Sequence, residues 1–371
     1  MRFVIGSQTL FQHIACADAA PEVSDTLLLK RRGFEFGRVR EDGRPVMPSA
    51  DVITRKWRHD APVQLPGMLE ADLKQYKNDI AHSHTLMEML LNGSELAALL
   101  DAEPIASRLR PRFALVASST EDHDSQGIEK AYFDVEDAGN CIAEDLWCKA
   151  SWLSFHDEDA SLRFRFSFGM EGYENVAADS VRQHWAGVLC DKVFPESAAI
   201  TGNADVSTTL HKLLGTKPAF VERIVYFNAP NGGAQFHHDV ERGHAGVIYA
   251  QITGRTFWLA LSKPELIDEI VNFLAQTDAG TWRELRALAT DNDALATYME
   301  ESDHETVEAL IDRSPAFIRY MVVHGHGFLL QPGDVLLMPK RDLDTCVWHS
   351  VFCMDDEPGE GLSFALRGDG I

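Results

Sequence analysis

Alternating hydrophobic and polar positions in several short stretches of the chain predict β-strands. The clearest case in the first half is LRFRFSFGM. Its apolar positions are Leu162, Phe164, Phe166, Phe168 and Met170. A period of two places one face of a strand against a core. We interpret Arg163 and Arg165, on the other face, as a solvated sheet surface, because arginine side chains are usually exposed.

From about residue 218 onward, short apolar runs are separated by turn signals. These runs are FVERIVYFN, GVIYAQITGRTFWLAL, GFLLQPGDVLLMP, CVWHSVFCM and GLSFALRG. Many short strands at this spacing predict a sandwich or a small barrel. Residues 263–321 interrupt them with a helical pattern, in which Leu266, Ile270, Phe273 and Leu274 form one stripe. We therefore expect a β domain over 206–371 that carries a helical insertion at 263–321.

The first 205 residues mix both kinds of pattern. A helical stretch at 85–110 is broken at Asn92 and Pro104, a strand follows at 112–119, and an amphipathic helix spans 177–194. Residues 1–80 are rich in turns and are assigned only as strands and loops. The fold class that we predict is mixed α+β, with an N-terminal α+β region of unassigned role over 1–205.

Charge and cysteine content narrow the choice of partners and compartment. The formal net charge of −23 repels phosphate backbones and anionic lipids, so we expect neither nucleic acid nor a membrane as a partner. The 6 cysteines form no CxxC pair, which favours reduced thiols. Polar residues interrupt the apolar stretch at the N-terminus, which is unlike a signal peptide. We expect a cytoplasmic protein.

Candidate chemistry is concentrated in the segment QFHHDVE, residues 235–241. In an extended strand His237 and Asp239 share one face, whereas His238 points the other way. An imidazole nitrogen and a carboxylate oxygen on one face can reach a single cation. The segment VWHSVF supplies His349 as a third ligand from a neighbouring strand. We assign Glu241 no role.

Two histidines and one carboxylate form the facial triad of non-haem Fe(II) oxygenases, which leaves coordination positions open. Zinc is the competing metal, but structural zinc sites prefer cysteine-rich sets of four ligands, and no cysteine adjoins the HxD pair. An HxD pair alone also arises by chance on a polar strand end. The order of strand, NGG turn, HxD, PGD turn and second histidine favours the metal site.

Residues 218–367 resemble the JmjC-type, cupin-like Fe(II)- and 2-oxoglutarate-dependent oxygenases, in particular their bacterial hydroxylase branch. The matching segments are NAPNGGAQFHHD, YAQITGRTFWLAL and LLQPGDVLLMPKRDLDTCVWHSV. The resemblance implies a double-stranded β-helix in which His237, Asp239 and His349 hold Fe(II). It also implies 2-oxoglutarate as co-substrate and hydroxylation of an unactivated C–H bond.

Two positions depart from the pattern of that family. The place where the branch carries a lysine or arginine for the distal carboxylate of 2-oxoglutarate is Thr256, and the frequent threonine before the first metal histidine is Ala234. A carboxylate in an apolar barrel needs a cation, so another basic group should replace the missing one. Arg367 on the last strand is our candidate. Tyr226 and Asn228, which share a strand face, are further candidates for binding co-substrate or substrate.

Three functional hypotheses remain open on the sequence. The first is an Fe(II)- and 2-oxoglutarate-dependent dioxygenase that acts with dioxygen on a protein side chain, an amino acid or a small metabolite. The second is a cupin-type metal enzyme that does not use 2-oxoglutarate, and the third is a non-catalytic binding protein on an oxygenase scaffold. An acidic protein suits a basic substrate. The regions outside the barrel are candidates for a lid, a homodimer interface or a specificity surface.

Overall fold

The computed structural model describes residues 14–17, 26–120, 127–153, 160–170, 178–240, 243–301 and 304–368. The strands in these ranges are β1 (Ile14–Ala17), β2 (Thr26–Arg31), β3 (Phe34–Glu41), β4 (Val63–Leu65), β5 (Phe113–Ser119), β6 (Gly127–Asp137), β7 (Asn140–Trp152), β8 (Leu162–Phe168), β9 (Ala219–Asn228), β10 (Gly233–His237), β11 (Gly246–Gln251), β12 (Thr256–Ser262), β13 (Gly327–Leu330), β14 (Val335–Pro339), β15 (Val347–Cys353) and β16 (Gly359–Arg367). The α-helices are α1 (Ala50–Arg58), α2 (Glu70–Leu73), α3 (Lys77–Leu91), α4 (Leu96–Leu100), α5 (Ile105–Leu109), α6 (Ser180–Val193), α7 (Ala198–Thr201), α8 (Ala204–Leu214), α9 (Lys263–Gln276), α10 (Arg283–Leu288), α11 (Asn292–Tyr298), α12 (Glu305–Ile311) and α13 (Pro315–Val323). A short 3-10 helix spans Pro195–Ser197.

Helices and large antiparallel sheets build the fold, which confirms the predicted mixed class. Within the described ranges, the largest sheet has the strand order β4-β14-β11-β16-β9-β8-β7-β6-β5. A second sheet has the order β10-β15-β12-β13, and a small third sheet has the order β1-β3-β2. Each recorded strand pair in these sheets is antiparallel. We call the first of these the large sheet and the second the small sheet.

The large and small sheets face each other over a shared apolar layer. This layer contains Tyr249 of β11 and Met338 of β14 from the large sheet, and Trp258 of β12 and Val351 of β15 from the small sheet. The outer face of the large sheet packs against α3 to α8, and the outer face of the small sheet packs against α9 to α13. Strands covered on both faces are buried at every position, as β11, β12 and β15 are.

The large sheet continues without a break from the first half of the chain into the second. Strand β8 pairs with β9 in register, with Phe164 opposite Val225, and β9 pairs with β16. The predicted boundary at 205/206 lies inside α8. The predicted insertion at 263–321 corresponds to helices α9 to α13.

Helix α1 was missed by the sequence analysis, which assigned residues 1–80 to strands and loops. The Ser49 side chain accepts a hydrogen bond from the backbone N–H of Val52, and Asp51 lies in the first turn. Ile53 and Trp57 lie one turn apart and are buried. The signals for a helix start were present, but the helix is short and follows a turn-rich segment.

Strand β8 confirms the predicted alternation only in part. Phe164, Phe166 and Phe168 are buried as predicted, whereas Met170 lies beyond the strand and is 65% exposed. The opposite face is not the solvated surface that we expected, because Arg163 and Arg165 are both half-buried. That face of the sheet looks toward the candidate site.

Two further expectations concern the cysteines and the N-terminus. All six cysteines, at 16, 141, 148, 190, 346 and 353, are free thiols. Residues 1–13 and 18–20, on which the interpretation of the N-terminus rests, lie outside the described residues, as does Glu241. Over the ranges that the structure describes, no helix has both the length and the apolar character needed to cross a bilayer.

Candidate metal centre

The two predicted histidine ligands lie opposite each other on neighbouring antiparallel strands. His237 of β10 and His349 of β15 are partners in the strand register, and their ring centroids are 4.2 Å apart. Asp239 follows just beyond the end of β10. One ligand atom from each of the three side chains lies within 4.8 Å of the other two. The structure therefore brings together the three residues that the sequence singled out.

His237 directs one imidazole nitrogen toward Asp239. The Nδ1 atom lies 2.7 Å from the carbonyl oxygen of Gln235, which can accept the Nδ1 proton and leave the Nε2 lone pair available. Nε2 lies 3.4 Å from Asp239 Oδ1. Burial lowers the pKa of His237, but the hydrogen bond and charge of Asp239 outweigh it, so the net pKa is raised.

His349 is held by packing. Its ring is 3% exposed and stacks on Trp258 at 5.2 Å with an interplanar angle of 20°. Its Nε2 atom is 3.7 Å from Asp239 Oδ2. Burial, followed by the charges of His237 and Lys340, holds the pKa of His349 well below its usual value. The ring is therefore a neutral imidazole, which is the form that binds a metal.

Asp239 carries a negative charge that three neighbours stabilise. Its side chain lines the cavity, which leaves 42% of it exposed. It accepts a hydrogen bond from the fully buried ammonium of Lys340. Burial raises the pKa of the carboxyl, but Lys340 and then the two histidines hold it well below its usual range. Lys340 was not predicted from the sequence, in which a lysine directly follows the apolar run VLLMP.

The side chains present fit a divalent transition metal. They offer two imidazole nitrogens and one carboxylate oxygen from a single concave site, and both histidines have a nitrogen turned toward Asp239. His238 points away and lies 2.9 Å from Glu300 Oε2, as the strand alternation predicts. A set of three ligands without a thiolate suits Fe(II). A structural zinc site prefers a closed set of four ligands.

A cavity of about 480 Å³ opens beside the triad. Both Tyr226 and Asn228, predicted from the sequence, line it, and Arg163 of β8 lines it as well. Arg367 lies at the far end of β16 opposite Ala219 and is not among the cavity residues in the described part of the chain. That position gives no support to the role predicted for Arg367.

Thr256 is buried in a network of polar side chains. Its hydroxyl donates to Gln251 Oε1 at 2.6 Å and accepts from Trp258 Nε1 at 2.8 Å. Tyr249 donates to the same Gln251 oxygen at 3.0 Å. The position where the resembling family places a cation is thus occupied by neutral groups that bond to one another. Ala234 lines the cavity and offers no hydroxyl.

Arg31 supports the two strands that carry the histidine ligands, and it was not predicted from the sequence. Its guanidinium donates to the Ala234 carbonyl and to Ser350 Oγ, each at 2.5 Å, and to Asp312 Oδ1 at 2.9 Å. Asp312 also accepts from the backbone N–H of Phe236 at 2.8 Å. One buried ion pair thereby joins β2, β10, β15 and the C-terminal end of α12.

Comparisons with known proteins give distant structural neighbours. No protein-family profile and no curated protein matches the chain. Among solved structures, an oxidoreductase of the 2OG-Fe(II) oxygenase family from Burkholderia pseudomallei is 10% identical over 88% of this chain and 93% of its own, with a TM-score of 0.30. Two structures of the ribosomal oxygenase YcfD from Escherichia coli are 12% identical over 75% of this chain, with TM-scores of 0.25 and 0.26.

These neighbours are oxygenases, the class that the sequence resembles. The match spans about half of YcfD, since it covers 52% of that chain. Likeness at this distance carries no argument about function. The functional assignment therefore rests on the geometry of the site.

Proposed function

We propose that this protein is an Fe(II)- and 2-oxoglutarate-dependent oxygenase that hydroxylates an unactivated C–H bond. The observation that carries the proposal is the convergence of His237, Asp239 and His349, with ligand atoms within 4.8 Å of one another beside a cavity. Fe(II) with 2-oxoglutarate and dioxygen would supply the oxidising chemistry. A protein side chain, an amino acid or a small metabolite remains the proposed range of substrates.

The strand order supports a double-stranded β-helix as the core of this oxygenase. Strands β14-β11-β16-β9 of the large sheet face β13-β12-β15-β10 of the small sheet. Consecutive strands from β9 to β16 therefore alternate between the two sheets, except that β12 and β13 pair with each other within the small sheet. The two histidine ligands lie on adjacent strands of the small sheet, Asp239 follows the end of β10, and all three side chains line the cavity.

The chain itself contributes orientation and charge at this site. Gln235 fixes the tautomer of His237, Trp258 fixes the ring of His349, and Lys340 keeps Asp239 ionised. Such supporting contacts set the orientation of metal ligands and commonly change metal affinity 10- to 100-fold, to order of magnitude. Tyr226 and Asn228 present polar groups to a ligand in the cavity.

A metal-dependent enzyme that does not use 2-oxoglutarate is the second candidate. The observation that favours it is the neutral network of Thr256, Gln251 and Trp258, which fills the place where the resembling family has a cation. This candidate keeps the same three metal ligands. It differs from the first in predicting that 2-oxoglutarate does not bind near the metal.

Spectroscopy on the anaerobic protein separates the two candidates. We expect Fe(II) followed by 2-oxoglutarate to produce the weak visible charge-transfer band of a chelated complex. His349→Ala should abolish the band, and His238→Ala, the adjacent histidine that points away, should keep it. Iron binding without the band would favour the second candidate. Absence of iron binding in the wild type would contradict both and leave a non-catalytic binding protein.

A further inference from the structure

Arg163 differs from its neighbour Arg165 in what it faces. The two residues lie on the same side of β8, but Arg163 lines the candidate active-site cavity and Arg165 does not line it. Arg165 forms an ion pair with Glu222. Strand β8 lies outside the segment 218–367 that carries the family resemblance.

The β-sheet fixes the position of Arg163 at the cavity. Arg163 lies directly opposite Tyr226 on β9 and opposite Ser151 on β7. Its Nε atom donates to Ser151 Oγ at 3.0 Å, and Ser151 is fully buried. Two neighbouring strands and the hydrogen bond to Ser151 help to orient a guanidinium whose planar set of N–H groups suits a carboxylate.

Tyr226 connects Arg163 to the metal end of the cavity. The pKa of the Tyr226 hydroxyl is raised, first by burial and then by the charge of Asp239, and the charge of Arg163 opposes this rise. The phenol is therefore within electrostatic reach of both the proposed metal ligand and the arginine. A ligand that touches the metal and Tyr226 would extend toward Arg163.

The carboxylates that line the cavity have cationic partners in the described part of the chain. Asp239 is paired with Lys340, Asp312 with Arg31 at 2.9 Å, and Glu308 with Arg313 at 2.7 Å. A divalent metal would add further positive charge. The cavity should therefore attract an anion, although the whole protein carries a net charge of −23.

We propose that Arg163 and Tyr226 form a carboxylate-binding subsite of the active-site cavity. This inference takes the identity of the metal site from the proposed function. The subsite itself does not depend on that function. The carboxylate can come from 2-oxoglutarate, as its distal group, or from the substrate. Both sources present the same chemistry to the guanidinium, and they predict different binding behaviour.

Calorimetry on the full chain loaded with redox-inert Mn(II) tests the subsite. The first probes are 2-oxoglutarate and 2-oxobutyrate, which keeps the chelating end but lacks the distal carboxylate. If Arg163 binds the distal group, Arg163→Gln weakens 2-oxoglutarate about 100-fold and leaves 2-oxobutyrate unchanged, because a charge-assisted bidentate contact is lost. Arg163→Lys, which keeps the charge, should show a smaller loss.

The second probe is glutarate, a dicarboxylate without the chelating keto group. If Arg163 binds a substrate carboxylate instead, 2-oxoglutarate binds Arg163→Gln normally. In that case glutarate binds the wild-type protein already saturated with Mn(II) and 2-oxoglutarate, and binds the variant about 100-fold more weakly. Arg165→Gln is the matched control and should bind all three probes as the wild type does.

The subsite is overturned if Arg163→Gln and Arg163→Lys, with unchanged melting temperature, bind all three probes as tightly as the wild type does. It is overturned equally if Arg165→Gln causes the same losses. Failure of the wild type to bind Mn(II) would contradict the proposed function alone. In that case, the subsite is tested by comparing glutarate binding to the metal-free wild type with glutarate binding to metal-free Arg163→Gln.

Discussion

Buried carboxyl groups lie on both sides of the large sheet, and their surroundings are opposite in character. On the side that faces the small sheet, Asp239 and Asp312 are each paired with a buried cation, Lys340 and Arg31. On the outer side, Glu360 of β16 lies against Glu196 and has no described lysine or arginine partner. Lys340 and the two histidines hold the pKa of Asp239 well below its usual range, whereas burial raises the pKa of Asp312 in spite of Arg31. Burial and the Glu196 charge raise the pKa of Glu360.

The outer pair follows from strand alternation. Ser363 lines the cavity, so Glu360, three residues earlier on β16, points to the opposite face toward α3. The groups around it are Glu196, whose carboxyl accepts from Ser83 at 2.6 Å, and His84, whose Nε2 is 3.6 Å from Glu360 Oε2. Burial and then the Glu196 charge raise the pKa of Glu360 well above its usual value.

The contrast shows which buried carboxyl groups are suited to bind metal. A carboxylate with a depressed pKa is a ready ligand at neutral pH, whereas a carboxyl that retains its proton is not. Burial alone does not separate the two, since Glu360 is buried more deeply than Asp239. Lys340 and the two histidines make the difference at Asp239. Variants that remove a cation from one side, or a charge from the other, therefore test this account.

The largest effect should come from removing the cation that supports the ligand strand. Arg31→Met leaves Asp312 buried without its partner, which costs about 3–5 kcal/mol of unfolding free energy. Equilibrium unfolding in urea measures the loss. Arg255→Met is the matched control, because its ion pair with Asp355 is 38% exposed on the arginine side and should contribute about 0–1 kcal/mol. Equal losses in the two variants would contradict the role of Arg31.

The next effect is a gain of stability on the outer side. The pKa of Glu360 in the folded state lies above the ordinary value of 4.5. The protonated carboxyl therefore contributes its full stabilisation below pH 4.5, and this contribution is lost as the pH rises through the folded-state pKa. Glu360→Gln removes the ionisation, so the variant should gain about 1–3 kcal/mol over the wild type at pH 8. The gain should shrink at pH 5. A variant that is less stable than the wild type at pH 8 would show that Glu360 is ionised and satisfied.

The smallest effect concerns the hydrogen bond that supports Glu196. Ser83→Ala removes a buried donor and should cost about 1–2 kcal/mol, because one carboxyl oxygen loses its partner. Thermal unfolding at constant pH measures it. Thr85→Ala on the same helix removes an exposed hydroxyl that bonds only its own helix backbone, and should change stability by less than about 0.5 kcal/mol.

The local parts of this structure were predictable from the sequence. Alternation placed His237 and Asp239 on one face and His238 on the other, and the turn signals after residue 218 separated the strands correctly. These features depend on the residue types and spacing within one element. The helix stripe at 263–321 was predictable for the same reason.

The charge partners were not predictable, because they lie far apart in the sequence. Asp312 is 281 positions from Arg31, and Lys340 is 101 positions from Asp239. Arg163 was interpreted as solvated, because the pattern of β8 shows which residues share a face but not what that face meets. Pairing across sheets is set by the tertiary fold, which a single sequence does not display.

Anomalous X-ray scattering at the iron edge tests the central claim most directly, using crystals grown anaerobically with Fe(II). We predict one strong peak coordinated by Nε2 of His237, Nε2 of His349 and one carboxylate oxygen of Asp239, at roughly 2.0–2.2 Å from each. The remaining positions should be open to the cavity. A peak at another place, or no peak where these three side chains meet, would contradict the account.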